Sequence, residues 1–349
     1  YKNMKVGEAM YSHGPTNVKL HNKHFLKKIL KEAQEPITKS RLSKESGLSV
    51  VTINKLIPEM LASGEVLEMD EPVITGGRRA AVYELNKNYQ MCLVILYIEK
   101  EKNLIVELAV VNLFGETLVE ESFVDQLTTW ENIEFVIDSY KERFPTIDII
   151  SIGIPGVEVK GILEIMDLDA MRGMDLRKKI EERFNIPVMI ENDINAAILG
   201  YKNTNASEEA NIVSGLYFPE NYPPGAALVI NNEIFHGSHG LSGEVKHLPS
   251  YDNTEFPLTN EEDVMQLLNE SIQTILSMYD PDEVIVYGNS KLISSLIEDT
   301  VSKEMKNKFP YGTDFIIKYA DTFQEDYYQG LIMLGIMELD KFDFDLKNY

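Results

Sequence analysis

The sequence is poor in cysteine and tryptophan and short of positive charge. Cys92 is the single cysteine in 349 residues, which rules out a disulfide framework within the chain and any cluster of thiolates around zinc. No run of 18 apolar residues occurs, and no charged-then-apolar leader opens the sequence. The expectation is a cytoplasmic protein with no membrane partner. Hydrophobic residues make up 44 % and charged residues 26 %, a composition that folds rather than staying disordered. The length allows two or three domains.

The deficit of positive charge is uneven. The formal net charge is −23. Residues 1–89 hold 14 Lys+Arg against 10 Asp+Glu, a balance of +4. The remaining 19 basic and 46 acidic residues leave −27. A small cationic head on an acidic body suggests that only the head meets a polyanion.

Residues 1–20 are irregular and polar and are expected to precede the fold. In NKHFLKKILKEAQ (22–34), Phe25, Ile29 and Leu30 share one face among lysines, the pattern of an amphipathic helix. Thr38 or Ser40 can cap a second, short helix through Ser46, and Gly47 supplies a turn. Ser49 can cap a third helix starting near Val50. Helix, glycine turn, helix is the helix-turn-helix pattern. EVLEMD (65–70) and AAVYELN (80–86) follow as strand-like pieces around Gly76-Gly77-Arg78-Arg79, a hairpin wing. Ser49, Thr52, Asn54 and Lys55 are the candidates to meet a major groove, where hydroxyls and amides match base edges. Arg78 and Arg79 are the candidates for phosphate or a minor groove. Pro58 lacks a backbone donor and predicts a kink in the third helix near LIPEM.

The body looks like two related halves. Residues 91–121 suggest two long strands, a turn at Phe114-Gly115 and a third strand. Residues 210–238 suggest the same, with a turn at Asn231-Asn232. IDIISIGIPGVEV (147–159) and PDEVIVYGNSKLI (281–293) are apolar strands running into glycine turns. An apolar last helix at 327–339 should pack in the core. The expected fold class is α/β: a winged helix-turn-helix followed by a two-lobed body with a cleft.

Four stretches, in this order, resemble the ROK family of sugar-responsive repressors and sugar kinases. They are GGRRAAVYELN after the wing, GIPG (153–156), MDLRKKIEERFNIPVMIENDINAAILGY (174–201) and FHGSHGLSGEVKHLP (235–249). The resemblance runs from about residue 20 to residue 340. It implies an actin-like, hexokinase-type body with a sugar site between its lobes. The implied layout is an extension at 1–20, a DNA-binding head at 21–88 and a body at 89–349. Lobe one would be about 89–200 with the helix 327–349, and lobe two about 201–326. Asn192 and Asp193 match the family's pair after a strand. Glu244 and His247 match its Gly-Glu-x-Gly-His motif, with Lys246 in place of the second glycine. All four are expected sugar contacts, since carboxylates accept from hydroxyls while amides and imidazoles donate and accept. Asn192 and Asp193 equally suit a cap for a helix starting at Ile194, His247 suits a core position, and Glu244 could pair near Lys246.

The family's kinases hold phosphate in two glycine-rich turns. Here IEKEKNL (98–104) has neither glycine nor threonine, and NYPPG (221–225) keeps only Gly225. Phosphoryl transfer depends on such loops, so the body is expected to be catalytically inactive. The family's cysteine-rich zinc segment is also missing after His247, so neither metal nor cofactor is expected. The resulting expectation is a transcriptional regulator, a homodimeric repressor that binds duplex DNA and senses a carbohydrate or sugar phosphate. An active ATP-dependent sugar kinase, and a repressor that has lost its sugar, are the alternatives.

Overall fold

In the computed structural model the described residues are 15–33, 35–75, 78–100, 103–159, 161–166, 171–219, 222–252, 254–258, 260–288, 291–311 and 314–345. One compact unit comprises residues 1–91, 112–116 and 337–349, and the other comprises 92–111 and 117–336.

The first unit opens with helix α1 (Pro15–Glu32). It begins earlier than the apolar spacing at 22 indicates, which corrects the expectation of irregular chain to residue 20. Proline at a first helical position is preset for the helix, because its φ is fixed and its missing N–H is not needed there. Strand β1 (Ile37–Thr38) leads into α2 (Lys39–Ser46). Thr38 caps α2 by accepting from the Arg41 N–H at 3.3 Å, and Gly47 ends it at φ 69°, a left-handed turn. Ser49 then caps α3 (Val50–Ala62) by accepting from the Thr52 N–H at 3.1 Å.

Ile53, Leu56, Ile57 and Met60 form the buried face of α3, each burial contributing roughly 2 kcal/mol. The helix continues across Pro58, which lies on its exposed side. Strands β2 (Val66–Thr75) and β3 (Arg78–Leu85) pair antiparallel, and β1 adds to β3. The hairpin is longer than EVLEMD and AAVYELN alone suggest. Gly76 and Gly77 lie outside the described residues, as do the side chains of Arg78 and Arg79. Glu65 is 2 % exposed and anchors this unit. Burial pushes its carboxyl up, but Lys27, Ser63 and Lys23 outweigh that and hold it below its ordinary value.

The second unit is built on two five-stranded sheets. Strands β4 (Met91–Lys100), β5 (Asn103–Asn112) and β6 (Thr117–Val124) come first, then α4 (Trp130–Arg143) and β7 (Ile147–Ile154). A small hairpin of β8 (Gly156–Val159) and β9 (Ile162–Met166) and helix α5 (Leu176–Phe184) precede β10 (Val188–Asn192). The first sheet has the order β10-β7-β4-β5-β6. It is mixed: β10 runs parallel to β7, and β6 antiparallel to β5.

Helix α6 (Asp193–Thr204) leaves β10 directly. Strands β11 (Ile212–Tyr217), β12 (Gly225–Ile230) and β13 (Glu233–Ile234) follow. Asn231 and Asn232 both have positive φ, 51° and 65°, as a two-residue hairpin turn of matching twist requires. Helix α7 (Glu261–Tyr279), β14 (Glu283–Tyr287), α8 (Lys291–Leu296), α9 (Ser302–Lys308) and β15 (Ile316–Ala320) complete this sheet. Its order is β13-β12-β11-β14-β15, with β11, β14 and β15 mutually parallel along the order.

Helix α6 packs on β11 and β12 and also touches β7 and β10, so it bridges the two sheets. The last helix, α10 (Phe323–Asp345), crosses α6 at bare backbone. A Cβ on Gly200 would lie 1.9 Å from the Asp326 carbonyl oxygen, and one on Gly330 would lie 1.8 Å from that of Ala196. Only glycine at both positions lets the helices approach this closely.

Candidate functional site

The start of α6 gathers polar groups that apolar strands deliver. Strand β10 reads VMIEN, with Val188, Ile190 and Glu191 buried. Asn192, its last residue, has extended backbone and caps the helix. Its Oδ1 accepts from the Ile194 N–H at 3.1 Å and the Asn195 N–H at 3.5 Å. Its Nδ2 donates to the Gly156 carbonyl at 3.0 Å. The amide therefore ties α6 to β8, and its role in the fold is positional. Helical geometry starts at Asp193, one residue before Ile194. Asp193 Oδ1 accepts from the Ile194 N–H at 2.8 Å. A carboxylate in the first turn suits the positive end of the helix dipole.

Glu191 is the centre of the cluster. Its residue is 9 % exposed. Oε1 accepts from the Asn192 N–H and from Asn195 Nδ2, both at 2.9 Å. Oε2 lies 2.8 Å from His236 Nε2. The hydrogen bond to Glu191 raises the His236 pKa, burial opposes that, and the charge of Glu191 adds to it. Beneath lies Tyr327, 1 % exposed, against Gly153 of GIPG. Burial, then the charges of Asp193 and Glu191, push its phenol well above the ordinary value.

His236 opens a loop that ends at His247. The Ser242 N–H donates to the His236 carbonyl at 3.3 Å. Gly243 then takes φ 88° and lets its backbone touch β12: the Ala226 N–H donates to its carbonyl at 2.8 Å. A Cβ there would lie 1.8 Å from the Ala226 oxygen, so this motif position requires glycine. Glu244, Val245, Lys246 and His247 follow in a 3₁₀ turn packed on β12. Lys246 Nζ pairs with Glu244 Oε2 at 2.7 Å. Their side chains are 30 % and 21 % exposed. His247 is exposed, which removes the core-histidine alternative.

Asn192 and Asp193 thus join Glu191, Asn195 and His236 at the start of α6. Glu244 and His247 sit at the other end of the loop that His236 begins. Sequence reasoning missed Glu191, Asn195, His236 and Tyr327. Glu191 and Asn195 stand within the quoted stretch 174–201, and a glutamate inside an apolar strand is itself a signal of a buried partner.

The first unit has its own polar surface. On α3, Asn54 and Lys55 are exposed and Thr52 is half-buried. The hydroxyls of Ser49 and Thr52 lie 2.9 Å apart. In the same unit Lys39, Arg41, Lys44 and Tyr83 line an open groove between α2 and β3. Lys39 Nζ stands 5.4 Å from the centroid of the Tyr83 ring. Glu45 and Glu35 hold Arg41. Of the two candidate phosphate turns, Glu101, Lys102 and Asn221 lie outside the described residues. Among the described residues no helix is long and apolar enough to cross a membrane, and no group of three or more His, Cys, Asp or Glu could hold a metal.

Residues 105–258 match the ROK family. The xylose repressor of Bacillus spizizenii (strain ATCC 23059 / NRRL B-14472 / W23) is 28 % identical over 237 residues, 66 % of this chain and 60 % of its own length. The chain spans about half to three fifths of the length of the curated relatives it matches. A solved ROK family transcriptional regulator, described as a homologue of the E. coli MLC protein, aligns with a TM-score of 0.63 at 17 % identity. The alignment covers 92 % of this chain and 100 % of that one. The ROK hexokinase of Thermus thermophilus aligns with a TM-score of 0.59 at 14 % identity, over 72 % of this chain and 100 % of that one. At these identities the two structures establish the fold: α/β, sugar-kinase-like, with mixed sheets.

Proposed function

Because the chain carries a ROK family domain, we propose that it is a DNA-binding transcriptional regulator, a repressor, whose body senses a carbohydrate or sugar phosphate without transferring phosphate. Residues 21–88 are the winged helix-turn-helix head: α2 and α3 are the paired helices, and β2 with β3 is the wing. Residues 89–349 are the body. The observation that carries this reading is the outward face of α3, where a helix capped by Ser49 presents Asn54 and Lys55 to solvent. The xylose repressor among its relatives supports the same direction and makes xylose the first sugar to try.

Sugar contact falls to Asp193, Glu244 and His247, with Asn192 holding the start of α6 in place. A homodimer offers two copies of α3 to two half-sites, and lobe movement on sugar binding re-spaces them. The two turns that lack a phosphate cradle favour a body without kinase activity. Pro223 and Pro224 lack the amide donors that such a cradle uses. Incubation with ATP and a sugar panel is expected to yield no ADP. Sustained ADP release by the purified protein would replace this reading with that of a sugar kinase.

A second reading is a repressor whose body takes no sugar. The Lys246–Glu244 ion pair favours it, since the ammonium occupies a carboxylate that a sugar hydroxyl would use. A thermal-shift screen over sugars and sugar phosphates separates the two: a shift lost in Asp193→Ala supports sensing, and no shift with any sugar supports the second reading.

A further inference from the structure

Val51 is 79 % exposed, the most exposed large aliphatic side chain among the described residues. It recurs with Asn54, Lys55 and Pro58 at three- and four-residue spacing, so the four form one outward stripe of α3. Ile53, Leu56, Ile57 and Met60 face the other way, into the core. Val50, next to it, is 57 % exposed.

Local stability does not explain a valine there. A β-branched residue loses side-chain freedom in a helix, and an exposed one recovers nothing by burial. The compensation lies with whatever covers the stripe. The neighbouring groups define that partner. Lys55 is a cation, Asn54 pairs with donor and acceptor edges, and residues 1–89 carry +4 on a chain of −23. Duplex DNA offers a matching surface: a polyanion whose major groove bears one apolar group, the thymine C5-methyl.

We infer that Val51 is a specificity-determining residue that packs on a thymine methyl in the major groove, beside the base edge that Asn54 meets. The inference rests on reading α3 as the helix that enters the groove.

The test uses the full chain and a pool of randomised duplexes. The protein first selects its preferred site. Each thymine of that site is then replaced singly by deoxyuridine, which removes the methyl and keeps the pairing. One position is expected to lose about fourfold in affinity, the equivalent of one buried methyl group. That loss is expected to vanish in Val51→Ala. Lys55→Gln is expected to weaken binding to all sequences and keep the fourfold ratio. Alanine is the better helix former at an exposed position, so folding is not at risk in the first variant. If no deoxyuridine matters, or the loss persists in Val51→Ala, the inference is overturned while DNA binding stands. If the wild type selects no site and binds duplex without salt dependence, the DNA reading fails and the inference falls with it.

Discussion

The carboxylate of Glu191 lies 2.8 Å from the ring of His236, which joins the end of a buried strand to the first residue of the loop carrying Glu244 and His247. The carboxylate side chain is 10 % exposed and the imidazole 53 %.

This pair makes a pH prediction. The His236 pKa is raised in the folded chain, chiefly by its hydrogen bond to Glu191. A raised folded pKa means that the charged pair stabilises fully below the unfolded histidine value, about 6.5. The stabilisation then fades as pH rises through the folded pKa. The melting temperature of His236→Asn should therefore fall furthest below wild type near about pH 6, and the gap should narrow towards about pH 9. A gap that does not change with pH would show that the pair is uncharged.

The crossing of α6 and α10 makes a stability prediction. Gly200→Ala and Gly330→Ala place a methyl group on backbone oxygen and should each cost about 2 kcal/mol or more in denaturant unfolding. Gly225→Ala is the control. The nearest heavy atom to its new Cβ is Ile194 Cγ2 at 3.9 Å, so its midpoint should move by less than about 0.5 kcal/mol. Equal effects at all three positions would remove the close crossing from the account.

Much of this was legible in the order of residues, and the reasons are local. Thr38, Gly47 and Ser49 announce the ends of α2 and α3 because caps and left-handed turns are decided by single residues. Asn231-Asn232 announces its hairpin for the same reason. Pro15 as the start of α1 was missed, since no apolar stripe begins with it. The site was legible only in part. Asn192 and Asp193 stood out by position, but Glu191 takes its role from His236, 45 residues away, which no local pattern specifies. The need for glycine at 200 and 330 is likewise a tertiary matter, visible only once two helices meet.

Lys246 yields a prediction about ligand range. Its ammonium holds Glu244 at 2.7 Å. Lys246→Gly should free that carboxylate for hydroxyls and remove a cation from the site. In a thermal-shift panel, neutral sugars should gain in this variant and sugar phosphates should lose. An identical ranking in wild type and variant would place Lys246 outside the sugar site.

The head yields a prediction about salt. If Lys55 neutralises one phosphate, Lys55→Gln should lower the slope of log affinity against log salt by about 0.9. Asn54→Ala should instead relax preference at one base pair, by about 1–3 kcal/mol, with the slope unchanged. Arg78→Ala with Arg79→Ala should weaken binding across sequences. Gel-shift titration at several salt concentrations reads all three. Unchanged slopes throughout would place the DNA contacts elsewhere on the chain.

The central claim, that one chain couples a sugar site to DNA, is tested most directly by fluorescence anisotropy of the selected duplex against the sugar panel. The account predicts that at least one sugar or sugar phosphate changes duplex affinity by about fivefold or more. It further predicts that Asp193→Ala abolishes that change and leaves sugar-free affinity intact. Duplex affinity indifferent to every sugar that shifts the melting temperature would contradict it.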